Sequence, residues 1–203
     1  MKIGIMGGVF DPVHFGHLQA AEIVKEKLEL EMVLFVPSGI PPHKPKPIAN
    51  SKDRFKMLKL SLKNNKSFIP VNLEIKKRGY SYTIDTIREI KSIYGDKNDY
   101  YFIIGTDTIP ELCKWKDIEK LFGMIKFVAV TREGFKIKVK SQKSKVKIAS
   151  QNSKIELVEF PTLAVSASLI RERIKKGLSI KYLLPDDVER YIQEKGLYKF
   201  VYV

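Results

Sequence analysis

The sequence predicts an α/β protein built on a doubly wound, mostly parallel sheet. Two observations support this fold class: short apolar runs typical of strands alternate with amphipathic helical patterns, and turn residues follow the runs. The first two runs, at 2–6 and 32–36, flank a segment at 16–28 whose apolar residues recur at helical spacing. Such a strand, helix and strand in succession implies parallel strands joined by a right-handed crossover.

The same alternation continues along the rest of the chain. After a proline-rich loop, Asn50 or Ser51 can cap a helix, and 71–75 resembles a third strand. Ser81 or Thr83 can cap the following helix. The later predicted elements are strands at 100–104, 125–130 and 155–160, and C-terminal helices at 166–175 and 185–195 that Gly177 and Gly196 would end.

Composition bounds the class of protein. With 203 residues, 44% of them apolar, the chain can bury a core, and we expect one domain over 1–203. The apolar runs are far shorter than the roughly 20 residues of a membrane helix, so no membrane association is expected. A single cysteine, Cys113, cannot form an intramolecular disulfide, which favours a reducing compartment and hence the cytoplasm.

The net charge of +14 is unevenly distributed. Seven lysines and no acidic residue lie between Gly134 and Ile155, so 136–154 is either a nucleic-acid-binding stripe or a solvated insertion. The segment contains no arginine for base recognition, and Phe135 beside it is the one nearby aromatic residue for stacking. We therefore expect a lysine-rich variable insertion and no nucleic-acid partner, while the remaining positive charge attracts an anionic substrate.

A pair of histidines follows the first predicted strand. His14 and His17 lie three residues apart at a helix N-terminus, shortly after Gly7 and Gly8. In parallel sheets ligands bind at the carboxyl ends of strands, and both imidazole N–H groups and a helix N-terminus favour phosphate. A zinc site is the competing interpretation, but the chain offers too few further histidine or cysteine ligands.

The string from 7 to 17, GG-x-F-D-P-x-H-x-G-H, resembles the nucleotidylyltransferase superfamily, whose members transfer AMP or CMP from a nucleoside triphosphate. The superfamily's second signature, I-S-S-T-x-I-R, is similar to the string V-S-A-S-L-I-R at 165–171. The resemblance implies a Rossmann-like nucleotidylyltransferase fold with a C-terminal helical part.

Further strings at 40–44, 81–86, 103–107 and 196–198, together with Trp115, look like the bacterial nicotinate-nucleotide adenylyltransferase family. That family joins ATP and nicotinate mononucleotide to give deamido-NAD and pyrophosphate. The resemblance covers nearly the whole chain except the lysine-rich segment.

The resemblance also implies roles for individual residues. It places the catalytic groups at His14, His17, Lys44 and Arg171, and ATP contacts at Gly7, Gly8, Val9, Phe10, Gly105, Asp107, Ser166 and Ser168. It places the nicotinate mononucleotide at Tyr82, Thr83, Trp115 and Arg132. No side chain is expected to hold a metal, because Mg²⁺ would be carried by the ATP phosphates and water.

Other functions remain as alternatives. The acceptor can instead be nicotinamide mononucleotide, which differs from the nicotinate compound by an amide in place of a carboxylate, or phosphopantetheine, against which Trp115 and the 81–83 string argue. A nucleic-acid-binding module is the alternative from a different class. The sequence makes no prediction of the oligomeric state.

Overall fold

The structure, a computed structural model, describes residues 1–42, 45–77, 79–132, 155–161 and 163–199. The lysine-rich segment 136–154 and Lys44 lie outside these ranges, as does the side chain of Arg132.

The described residues form a parallel sheet of six strands in the order β3-β2-β1-β4-β5-β6. The strands are β1 (Lys2–Gly8), β2 (Met32–Pro37), β3 (Phe68–Pro70), β4 (Asp99–Gly105), β5 (Lys126–Arg132) and β6 (Ile155–Phe160). The strands β2 and β3 follow β1 on one side, and β4, β5 and β6 lie on its other side. The strand order therefore reverses between β1 and β4. This confirms the predicted doubly wound parallel sheet.

The helices are α1 (Phe15–Leu28), α2 (Ser51–Leu62), α3 (Leu73–Lys76), α4 (Thr83–Tyr94), α5 (Ile118–Met124), α6 (Ala167–Lys175) and α7 (Asp186–Lys195), with a 3-10 helix at Thr106–Lys114. In the described ranges no helix is long and apolar enough to cross a membrane.

Successive residues of a strand point to opposite faces of the sheet, and helices pack against both faces. Ile3 and Ile5 of β1 belong to the core that also contains the apolar face of α4. Met6 of β1 and Phe35 of β2 belong to the opposite core, which the helices α1, α2, α6 and α7 cover.

The predicted strand at 71–75 is wrong. The third strand is the shorter segment Phe68–Pro70 at the sheet edge, and α3 begins at Leu73. Proline has no backbone N–H, and it is tolerated in an edge strand because no further strand has to accept a hydrogen bond there. The apolar spacing of Val71, Leu73 and Ile75 is typical of a strand, but Val71 lies in an irregular connection and the other two residues belong to α3.

The predicted cap of α4 is also wrong, whereas other caps are confirmed. Tyr82 is the N-cap of α4 and makes no side-chain capping bond. The Asn50 side chain accepts from the N–H of Asp53 at 2.9 Å, and Ser166 accepts from Leu169 at 3.1 Å. Gly196 ends α7 at a φ of 59°, a conformation that costs glycine little.

The buried carboxylate of Asp11 joins distant parts of the chain. Its two oxygens accept from the N–H groups of Ile48 (2.7 Å) and Ala49 (3.1 Å) and from the Tyr198 hydroxyl (2.7 Å). Burial, then the negative charge of Asp11, raises the pKa of Tyr198, so this phenol stays protonated and donates. The C-terminal segment is thereby tied to the loop after β1.

We expect Tyr198→Phe to lower the free energy of unfolding by about 2 kcal/mol, because a buried carboxylate loses a charge-assisted hydrogen bond. Urea denaturation measures the change. Tyr182→Phe is the matched control, since Tyr182 is 81% exposed and should change stability by less than about 0.5 kcal/mol. Equal effects of the two substitutions would contradict the role of the Asp11 carboxylate.

Candidate active site

A cleft of about 1000 Å³ lies at the carboxyl ends of β1 and β4, where the strand order reverses. Ligands of doubly wound sheets bind at this position. The predicted site residues that line the cleft are Gly7, Gly8, Val9, Phe10, His14, His17, Tyr82, Thr83, Gly105, Asp107, Trp115, Ser166 and Arg171.

The two histidines form a stacked pair at the N-terminus of α1. Their ring centroids are 3.8 Å apart, and the edge of His17 meets Phe10 at 5.0 Å between centroids. The backbone N–H of His14 donates to His17 Nδ1 at 3.3 Å. Because Nδ1 accepts, a neutral His17 carries its proton on Nε2 and is a donor there.

Both imidazoles are uncharged at neutral pH in the free protein. Burial lowers the pKa of His14 to about 4. Burial and then the neighbouring His14 lower the pKa of His17 well below its usual value. These rings therefore offer N–H dipoles rather than positive charge, until a bound phosphate raises their pKa values.

Close packing explains the glycine between the histidines. A Cβ atom on Gly16 would lie 3.1 Å from Nδ1 of His14 and 3.2 Å from Cγ1 of Val165. Val165 directly precedes the Ser166 cap of α6, so the glycine allows the second signature to approach the histidine pair. The His14 Nδ1 atom is buried and has no partner in the described part of the chain.

Arg171 connects the two signatures. Its Nη1 donates to the carbonyl oxygen of Asp11 at 2.5 Å, and its Nη2 donates to the Ser168 hydroxyl at 3.2 Å. Ser168 does not line the cleft, so its contact with Arg171 suits the orientation of the guanidinium rather than binding of a ligand. A guanidinium and a helix N-terminus at one place are together suited to bind an anion.

The end of β4 forms a second part of the cleft. A Cβ atom on Gly105 would lie 2.3 Å from Oδ1 of Asp107, so the glycine leaves room for this carboxylate beside the strand. A carboxylate at the end of a strand is suited to accept hydrogen bonds from ribose hydroxyls.

Aromatic residues form the third part of the cleft. Trp115 packs edge-on against Phe102 and Phe127, at 5.8 and 6.2 Å between ring centroids. Tyr82 lies under the ammonium of Lys116, 4.6 Å from its ring centroid. These partly buried rings can receive a flat heteroaromatic group.

The structure does not place every predicted residue. Lys44 lies outside the described residues, and Arg132 is described only as the last residue of β5. Their roles stay predictions.

Sequence reasoning missed a half-buried acid beside the aromatic part of the cleft. Glu74 of α3 accepts from the Thr86 hydroxyl at 2.8 Å and lies against the N–H of Gly39 at 3.4 Å. Burial raises the pKa of Glu74, partly offset by these donors. Because 71–75 resembled a strand, nothing in the sequence indicated this contact.

No group of three or more His, Cys, Asp or Glu side chains within the described residues is placed to hold a metal ion. The donors around the histidine pair and Arg171 suit phosphate oxygens.

Comparisons with known proteins agree with this geometry. The family model described as cytidylyltransferase-like matches residues 5–173. A protein from Thermoanaerobacter sp. (strain X514) named probable nicotinate-nucleotide adenylyltransferase is 46% identical over 98% of this chain and 95% of its own length. A protein of the same name from Dictyoglomus thermophilum is 40% identical over 98% of this chain and all of its own length.

Among solved structures, the nicotinic acid mononucleotide adenylyltransferase of Plasmodium falciparum, complexed with NaAD, superposes with a TM-score of 0.77. It is 22% identical to this chain, and the alignment covers 97% of each. At that identity the likeness is one of fold.

The lowered pKa of His14 predicts an acid-sensitive stability. The unfolded chain binds a proton near pH 6.5 and the folded chain near pH 4, so stability is lost as pH falls through that interval. Between pH 7 and pH 4 the free energy of unfolding should fall by roughly 3 kcal/mol more in the unsubstituted protein than in His14→Asn. Urea denaturation at each pH measures this, and parallel curves would contradict a buried neutral His14.

Proposed function

The chain belongs to the nicotinate-nucleotide adenylyltransferase family, and from this premise we propose how its cleft performs the reaction. The protein is a nucleotidyltransferase of NAD biosynthesis, which transfers AMP from ATP to nicotinate mononucleotide and gives deamido-NAD and pyrophosphate. The observation that supports the cleft as the site is the contact of Arg171 with Asp11, since it joins two signatures 160 residues apart.

The reaction is a direct displacement at phosphorus. A phosphate oxygen of nicotinate mononucleotide forms a bond to the α-phosphorus of ATP, and the bond from that phosphorus to the bridging oxygen breaks. Pyrophosphate leaves with the electron pair. Because the attacking group is already an anion, no base is needed, and catalysis consists of alignment and stabilisation of charge.

We assign the triphosphate to the end of the cleft formed by the histidine pair and Arg171. His17 donates from Nε2 to phosphate oxygens, and His14 lies beside it. Arg171 and the N-terminus of α6, capped by Ser166, donate hydrogen bonds to the leaving pyrophosphate. The backbone from Gly7 to Phe10 lies along the phosphates. Ser168 holds Arg171 in place.

We assign the two nucleosides to the other parts of the cleft. Asp107, for which Gly105 leaves room, holds the ribose of ATP. Tyr82, Thr83 and Trp115 receive the nicotinate ring, where a ring can stack and backbone or hydroxyl donors can bind its carboxylate. Lys44 and Arg132 are proposed to add positive charge near the phosphates.

Mg²⁺ is proposed as the cofactor. Mg²⁺ prefers phosphate oxygens and water as ligands. This preference fits the cleft, whose described residues supply hydrogen-bond donors to phosphate and no cluster of carboxylates for the ion. Bound to ATP, the ion would neutralise charge on the phosphates.

The remaining assignments follow from the same premise. We propose one nucleotidylyltransferase domain over 1–203, with 136–154 as an insertion that binds no nucleic acid, and a cytoplasmic location without a membrane partner. The oligomeric state is left open.

Pyrophosphate release from Mg-ATP tests the proposal, with nicotinate mononucleotide, nicotinamide mononucleotide and phosphopantetheine supplied separately. We expect fast release with the nicotinate compound and much slower release with the others. Equal or faster release with another acceptor would overturn the assignment of the substrate.

The same assay tests His17. His17→Ala should lower kcat by about two or more powers of ten, the loss typical for one donor to a developing oxyanion. Glu26→Ala is the control, since Glu26 is an exposed residue of the same helix. Turnover of His17→Ala close to that of the control would exclude the proposed role.

A further inference from the structure

We infer that Arg54 is a positioning residue that orients the phosphate-binding loop after β1. The inference rests on the proposed function, because it assumes that the ATP phosphates bind along this loop. Arg54 belongs to the first turn of α2, does not line the cleft, and is only 1% exposed.

Arg54 bridges the ends of two neighbouring strands. Its Nη1 donates to the carbonyl oxygen of Val9 at 2.6 Å, and its Nη2 donates to the carbonyl oxygen of Ser38 at 2.8 Å. Val9 is the first residue after β1, and Ser38 is the first after β2. Both residues line the cleft, so the guanidinium holds the backbone of the cleft wall from the side that faces the protein interior.

The contact with Val9 determines where the next N–H points. In a trans peptide the C=O and N–H point in opposite directions, and the peptide between Val9 and Phe10 is trans. Because the Val9 carbonyl points to Arg54, the Phe10 N–H points away from it. Phe10 lines the cleft, where a phosphate oxygen can accept this N–H.

The loop needs such support because Phe10 is held in an unfavourable conformation. Its φ is 50°, in the left-handed region that costs a residue with a side chain about 1 kcal/mol. Such conformations persist where the surroundings determine them, and they are concentrated at functional sites. The side chain packs against Phe35 and His17, while Arg54 holds the preceding carbonyl.

The direct partners of Arg54 are neutral carbonyl groups. In the described ranges no carboxylate forms a salt bridge with it, and its Nε atom is buried without a partner. Burial lowers the pKa of Arg54, and the negative charges of Asp11 and Glu74 partly oppose this lowering, so these carboxylates offset the positive charge of the guanidinium. Arg54 therefore acts on phosphate binding through the orientation of the Phe10 N–H.

Calorimetric titration with Mg-ATP and with adenosine, without acceptor, tests this inference in Arg54→Met and Arg54→Lys. We expect Arg54→Met to weaken Mg-ATP binding by about tenfold or more, and adenosine binding by less than about twofold. Arg54→Lys should lose less affinity for Mg-ATP, because an ammonium group can still donate to one of the two carbonyls although it cannot hold both. If Arg54→Met does not fold, the same comparison in Arg54→Lys decides.

Lys52→Met and Lys56→Met are matched controls, because each removes one exposed positive charge from the same helix. They should leave the affinities for both ligands unchanged within about twofold. A merely structural Arg54 would lower the melting temperature and leave the ratio of the two affinities unchanged, and that result would overturn the inference. The titrations contain no nicotinate mononucleotide. A failure of the pyrophosphate-release assay with that acceptor is therefore a separate result, which does not decide the role of Arg54.

Discussion

A buried carboxylate is costly unless it accepts hydrogen bonds, and the structure of this cleft depends on the hydrogen bonds that Asp11 accepts. The donors come from Ile48 and Ala49 before α2 and from Tyr198 near the C-terminus. The carbonyl group of the same residue accepts from Arg171 of α6. The loop after β1 is therefore held by segments that are remote in sequence, and the two sequence signatures meet at one residue.

Two kinds of group determine the electrostatics of the cleft, neutral hydrogen-bond donors and permanent positive charge. The stacked imidazoles are kept neutral by burial and provide directed N–H donors. Permanent charge comes from Arg171 at the surface of the cleft, while Arg54 holds the loop beneath it. Neutral donors avoid mutual repulsion of two stacked cations, while Arg171 still attracts a polyanion.

The features that could be predicted from sequence are those whose signal is local. The alternation of apolar periods predicted the parallel sheet and α1, and residues of the string around His14 line the cleft at the end of β1. The family resemblance is confirmed by relatives up to 46% identical over nearly the whole chain.

Features that depend on contacts between distant residues were missed. The strand β3 has only three residues, so its apolar pattern was outweighed by the neighbouring 71–75. Arg54 is one of several basic residues on an amphipathic helix, and nothing local distinguishes it from an exposed one. The bond between Asp11 and Tyr198 spans 187 residues and has no periodic signal.

A crystal structure with a non-hydrolysable ATP analogue and Mg²⁺ tests the central claim most directly. The account predicts that the triphosphate lies between His17 Nε2 and Arg171, with a phosphate oxygen accepting from the Phe10 N–H. A triphosphate bound elsewhere, or adenine in the place assigned to the phosphates, would contradict it.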